Sequence, residues 1–181
     1  SLDDLKMYWD NLYEKTYKPD LKYKISFTGG EPTSSRAFMP FLEWLRDTAP
    51  CEFQILLTTN GSATYKYYHQ LYNSVDNISF SIHSEHIDEL KFFDMVIKLK
   101  STLPNSKHLH VNIMNEFWNQ DRIQIYKNIL ATHGISYNVN EIDYTLKTRN
   151  DPIRSRQTRE KLLEPAYKNT EYQKKAEALK Q

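Results

Sequence analysis

The sequence predicts an α/β fold built on a parallel sheet, and three observations carry that prediction. Apolar residues recur at helical spacing in five segments; five short β-patterned runs lie between or after them; and each run is parted from the next by a helix-length stretch. Strands so separated cannot pair as hairpins and need right-handed βαβ crossovers. At 181 residues and 21.6 kDa the chain is one domain by size, and a chain of this length buries roughly 70% of its unfolded surface without disulfide or metal staples. A 39% apolar fraction and only four glycines exclude a low-complexity chain. Lys+Arg 24 against Asp+Glu 23 leaves no overall field that points to nucleic acid.

Each element follows from its pattern. Leu2, Leu5, Trp9, Leu12 and Tyr13 define a first helix, and residues 22–28 a first strand ending at Gly-Gly. Phe38, Phe41, Leu42 and Leu45 define a second helix. Pro40 lacks an amide hydrogen and must sit in its first turn, so the helix is expected to start after about Ser35, capped by that hydroxyl. Residues 52–59 read as the second strand. A helix with Tyr65, Tyr68, Leu71 and Val75 leads to a strand over 77–83, and one with Ile87, Leu90, Phe93 and Ile97 to a strand over 107–114. Ile123, Tyr126 and Ile129 mark a helix ending near Gly134, and 135–142 the last strand. The thirteen tyrosines fall mostly on helices, where the ring is expected to cover apolar surface and keep its hydroxyl wet.

Parallel strands covered on both faces read as continuous apolar runs, yet several here alternate. Ile25 and Phe27 oppose Ser26 and Thr28; Ile78, Phe80 and Ile82 oppose Ser79, Ser81 and His83; Leu109, Val111 and Ile113 oppose His108, His110, Asn112 and Met114; Ile135, Tyr137 and Val139 oppose Ser136, Asn138 and Asn140. One face is expected to be apolar throughout and under the helices. The other is expected to line a wet or ligand-filled concavity, because polar groups buried without partners cost roughly 1–3 kcal/mol each. An open sheet with one solvated face is the alternative.

The sharpest motif is Ser26-Phe27-Thr28-Gly29-Gly30-Glu31-Pro32, at the carboxyl end of the first strand. The glycines let the backbone turn away and approach a ligand, and Glu31 supplies one carboxylate. About thirty residues on, Thr59-Asn60-Gly61 ends the next strand. Either motif alone reads as an ordinary turn. Together, in that order and spacing, they resemble the radical SAM superfamily, over residues 2 to about 143. The resemblance implies a partial parallel (β/α) barrel with five of the family's six βα units, spanning 1–146.

The resemblance also implies an enzyme that binds S-adenosylmethionine (SAM). In its complete form a [4Fe–4S] cluster cleaves SAM reductively to a 5′-deoxyadenosyl radical, which acts on a substrate this sequence does not identify, with an electron donor as partner. Carried over by position, Gly29, Gly30, Glu31 and Pro32 hold the methionine end, Glu31 accepting from its ammonium. Asn60 belongs to the same site, Ser81 lies near the carboxylate or ribose, and Asn112 or Asn115 near the ribose or adenine. His83, His110, Asn140 and Glu141 are candidate substrate contacts, with Asp143 and Tyr144 on the same rim. His83 and His110 are alternatively hydrogen-bonding residues of the concavity, since no ligand spacing accompanies them.

One departure accompanies the match. The family's Cys-x3-Cys-x2-Cys cluster loop, with the strand ahead of it, is not among these residues, and the lone Cys51 precedes a strand, far from the carboxyl ends where such sites are built. This chain alone is expected to hold no metal, to be inactive, and to depend on a portion ahead of Ser1. The rival reading is a non-catalytic α/β module that binds a nucleotide-like ligand or a partner protein and has lost the cluster site. Residues 147–181 carry ten Lys/Arg and five Asp/Glu and read as a basic, helical C-terminal extension. With no apolar run of ~20 residues and no signal-peptide core at the N-terminus, no membrane role and a cytoplasmic location are expected.

Overall fold

The computed structural model describes residues 1–18, 21–49, 53–83, 87–115 and 120–141. Cys51, Asp143, Tyr144 and the 147–181 extension lie outside the described residues.

Helices and strands alternate as expected: α1 Leu2–Thr16, β1 Tyr23–Phe27, α2 Phe38–Thr48, β2 Phe53–Thr59, α3 Tyr65–Leu71, β3 Asn77–Ile82, α4 Glu89–Thr102, β4 His108–Asn115, α5 Gln120–Thr132 and β5 Ser136–Glu141. The five strands form one parallel sheet in sequential order, β1-β2-β3-β4-β5. With right-handed crossovers, a strand order that never reverses lays every crossover helix on the same face. The packing agrees: Phe41 and Leu45 of α2, Tyr68 of α3, Val96 of α4 and Leu130 of α5 join Ile55, Phe80, Val111 and Ile135 in one core. The architecture is compatible with a partial β/α barrel. Among the described residues no helix is long and apolar enough to cross a membrane.

Local chemistry fixes the ends. Ser1 and Asp4 form a reciprocal capping box on α1, whose Trp9 ring lies 5.6 Å from Phe53. Thr64 caps α3 and Asp88 caps α4. Three expectations need correction. Ser35 does not cap α2: the chain first makes a 3-10 turn, Pro32–Ser34, capped by Glu31, and Ser35 ends that turn. The α2 cap is Ala37, with no side-chain bond, and Pro40 falls in the first turn as its missing amide requires. Val75 and Ile87 lie outside α3 and α4, although Val75 is buried, so apolar periodicity ran on past the helix ends.

The third correction concerns the faces of the sheet. Strand β2 places Phe53, Ile55, Leu57 and Thr59 toward the helices, so that face is not apolar throughout: Thr59 is buried there. On the opposite face Leu56 sits beside Ser26, and Thr58 beside Ser79. The rest of that face carries the expected polar rows, Ser79–His110–Ser136 and Ser81–Asn112–Asn138.

Candidate functional site

At the carboxyl end of β1 the backbone turns through Gly29 and Gly30, with φ +86° and +55°. A side chain at either would find open space, so conformation and not crowding demands glycine there. The turn brings Glu31 back toward β2. Its Oε1 accepts from the Thr33 amide (3.1 Å), the Thr33 hydroxyl (2.6 Å) and the Thr59 hydroxyl (2.8 Å), and its Oε2 accepts from the Asn60 amide (2.7 Å). The two motifs, 28 residues apart at Glu31 and Thr59, therefore meet through one carboxylate. All four donors are neutral, and among the described residues no cation pairs with Glu31. Its charge is oriented but uncompensated.

The following loop is bonded in an unusual way. Four successive amides each donate to a side-chain oxygen: Asn60 to Glu31, Gly61 to Thr59 (3.3 Å), Ser62 to Asn60 (2.9 Å) and Ala63 to the Tyr68 hydroxyl (3.3 Å). Successive free amides would make an anion-binding concavity. Here those donors are already engaged. Gly61, at φ +76°, is packed so closely that a Cβ would lie 2.8 Å from the Phe92 ring.

A cleft of about 850 Å³ opens beside this loop, lined by Gly30, by Asn60 to Tyr65, by Ser81 and His83 at the end of β3, and by residues at the start of α4. Charged residues on its wall are Asp88 and Asp94 against Lys91, the last 2.9 Å from Asp88. Of the residues expected from sequence, Gly30, Asn60, Ser81 and His83 share this cleft, and Gly29, Glu31 and Pro32 form the turn at its edge.

The remaining candidates lie elsewhere. Asn112 pairs in register with Ser81 and accepts from Asn140 Nδ2 (3.3 Å), so these two continue the polar face away from the cleft. His110 lies lower on that face, its Nδ1 3.0 Å from the Ser136 hydroxyl. Ser136 donates its single hydroxyl proton to the Leu109 carbonyl (3.1 Å), so Nδ1 must carry the ring proton. Burial holds the His110 imidazole below its ordinary pKa, and Nε2 is buried without a hydrogen-bond partner. Asn115 and Glu141 are register partners joined at 2.5 Å, but both fall on the opposite strand phase from Asn112 and Asn140. The pleat thus turns Asn115 and Glu141 to the face away from Asn112 and Asn140.

Sequence reasoning missed Thr33, Tyr67 and Tyr68. Tyr68 was expected to keep its hydroxyl wet, yet it is wholly buried and bonded to Thr59. Burial pushes the Tyr68 hydroxyl above the ordinary tyrosine range, and burial followed by neighbouring Tyr68 and Glu31 does the same for Tyr67. A threonine two residues after Glu31 was the available sign of a side chain closing on its carboxylate.

Among the described residues no group of three or more His, Cys, Asp or Glu is placed to hold a metal ion. A [4Fe–4S] cluster needs several thiolates and the sequence has one cysteine, so these residues do not fit the cluster. No protein-family model, curated protein or solved structure matches the chain.

Proposed function

We propose that this chain is the SAM-holding part of a radical SAM enzyme domain. The observation that carries the reading is the Glu31 carboxylate, fixed at the cleft edge by neutral donors alone. A carboxylate held by dipoles keeps its full charge for a cationic partner, and a charge-assisted bond is about twice as strong as a neutral one. The engaged loop amides and the acidic excess on the wall both favour a ligand that brings positive charge over one that brings phosphate. That separates SAM, with its ammonium and sulfonium, from the nucleoside phosphates of the rival binding module. The two glycines keep the backbone beside Glu31 clear of side chains, leaving room for the methionine end.

Hydrogen abstraction would need one electron to cleave the C5′–S bond of SAM and release methionine, and these residues supply no such electron, so the role proposed for them is to hold SAM. The chain's own residues orient its ammonium on Glu31 and line the pocket with Asn60, Ser81 and His83. No step is assigned to a cluster, whose ligands are not in this sequence.

Titration calorimetry with SAM and with ATP tests the reading. SAM is expected to bind and ATP not, with Glu31→Gln weakening SAM by roughly 1.5–3 kcal/mol as a charged acceptor becomes neutral. Equal SAM affinity in the two proteins removes Glu31 from the site. ATP bound in preference to SAM turns the assignment to the nucleotide-binding module.

A further inference from the structure

The bonds behind Glu31 have a defined direction. A carboxylate only accepts, so the Thr59 hydroxyl gives its one proton to Oε1 and leaves its oxygen as acceptor. The Tyr68 hydroxyl, 2.9 Å away, is therefore the donor to Thr59, and its own oxygen takes the Ala63 amide. The chain runs one way: Ala63 N–H to Tyr68, Tyr68 to Thr59, Thr59 to Glu31. The Tyr68 ring is wholly buried, set edge-on to Phe80 with centroids 5.0 Å apart, so the core fixes where its hydroxyl stands. Tyr68 does not line the cleft.

We propose that Tyr68 is a positioning residue that, through Thr59, sets the Glu31 carboxylate in place for a cationic ligand. For the ligand this rests on the SAM reading; for the carboxylate it stands on the bonds alone. A helix side chain buried in the core thus holds a binding group on a loop between two strands. Successive hydrogen bonds pointing the same way polarise one another, so losing the far member weakens the bond at Oε1.

The test uses Tyr68→Phe, which keeps the ring and removes only the hydroxyl, with Thr59→Val and Thr59→Ser as a second pair. Amide hydrogen exchange follows Thr33 and Asn60, whose amides donate to Glu31, against Ile55, whose amide donates to Asp76 at the other end of β2. Tyr68→Phe is expected to speed exchange at Thr33 and Asn60 by about tenfold, the equivalent of one net hydrogen bond, and to leave Ile55 unchanged. Thr59→Val repeats the effect and Thr59→Ser restores protection. SAM affinity falls in Tyr68→Phe, with no further fall when Glu31→Gln is already present.

Unchanged exchange at Thr33 and Asn60 overturns the proposal. So does equal acceleration at all three amides, which makes Tyr68 a residue of general stability, or an affinity loss that persists in the Glu31→Gln background. If the two amides respond while the wild-type protein binds no SAM, the positioning role stands and the cofactor reading falls.

Discussion

Two carboxylates staple the sheet, one at each end of its strands, and they are held in opposite ways. At the amino-terminal end Asp76 accepts from the Ile55 amide (2.8 Å) and the Arg46 guanidinium (2.5 Å), with the Lys107 ammonium 3.8 Å away. Arg46 also bonds the Ser74 and Phe53 carbonyls and Lys107 the Val75 carbonyl, so α2, β2 and the approaches to β3 and β4 are tied together. At the carboxyl-terminal end Glu31 gathers four bonds and, among the described residues, no cation. The donors and not their number set the residual charge: Asp76 takes two hydrogen bonds but faces two cations, whereas Glu31 takes four from neutral groups and still has charge to offer a ligand. In barrels of parallel strands the sites are built at the carboxyl ends, and here the two ends differ in which donors each carboxylate meets.

The largest test of this contrast is Asp76→Ala. It leaves a guanidinium and a backbone amide without their acceptor, and we expect a loss of about 3 kcal/mol in urea unfolding, the site being partly open to solvent. On the proposed SAM reading, affinity for SAM should stay within about twofold; a matching affinity loss would break the distinction between the ends. Next is a pair of glycines. Gly61 beside the cleft and Gly134 ahead of β5 both have positive φ, but only at Gly61 would a Cβ strike a ring. Gly134→Ala should cost about 1 kcal/mol from backbone strain, and Gly61→Ala about 1 kcal/mol more from overpacking, compared by thermal melts. Equal costs would mean that the Phe92 ring yields freely.

The smallest effect is in pH. Burial opposes the charge on Asp76, but the Ile55 amide and then Arg46 outweigh it and hold the carboxyl below its ordinary 3.8. Its stabilisation is present above that value and is lost as pH falls through the lower folded pKa. His110, held below 6.5 by burial, acts in a higher window: the unfolded chain takes the proton first, so stability declines as pH drops below about 6.5. Urea titrations from pH 8 to 3 should show two declines, with His110→Gln removing the upper one. A single decline unchanged in that variant would show that His110 stays solvated.

Strand identity, helix identity and the polar phase of β3, β4 and β5 were legible because alternation of period two is written residue by residue. The phase of β2 was not: Leu56 and Thr59 are each on the face their polarity disfavours, since Thr59 exchanges water for Tyr68 and Glu31. That Gly30, Asn60, Ser81 and His83 share one cleft was legible because motifs at successive strand ends converge in any parallel sheet. Thr33 and Tyr68 escaped because a tyrosine on a helix reads as core cover until its hydroxyl partner, nine residues away, is known. Asn115 came by position from the resemblance and Glu141 as the end of the last strand, and their facing away from Asn112 and Asn140 was not foreseen because an odd step along a strand reverses the side-chain direction.

The sequential strand order also bears on how the chain is made. Pairings such as Tyr23 with Phe53 and Asn77 with His108 join segments about thirty residues apart, and none skips a strand. Each of β2 to β5, on leaving the ribosome, therefore meets a partner that has already been synthesised. Assembly can keep pace with translation, one βα unit at a time, without waiting for a distant segment to close the sheet.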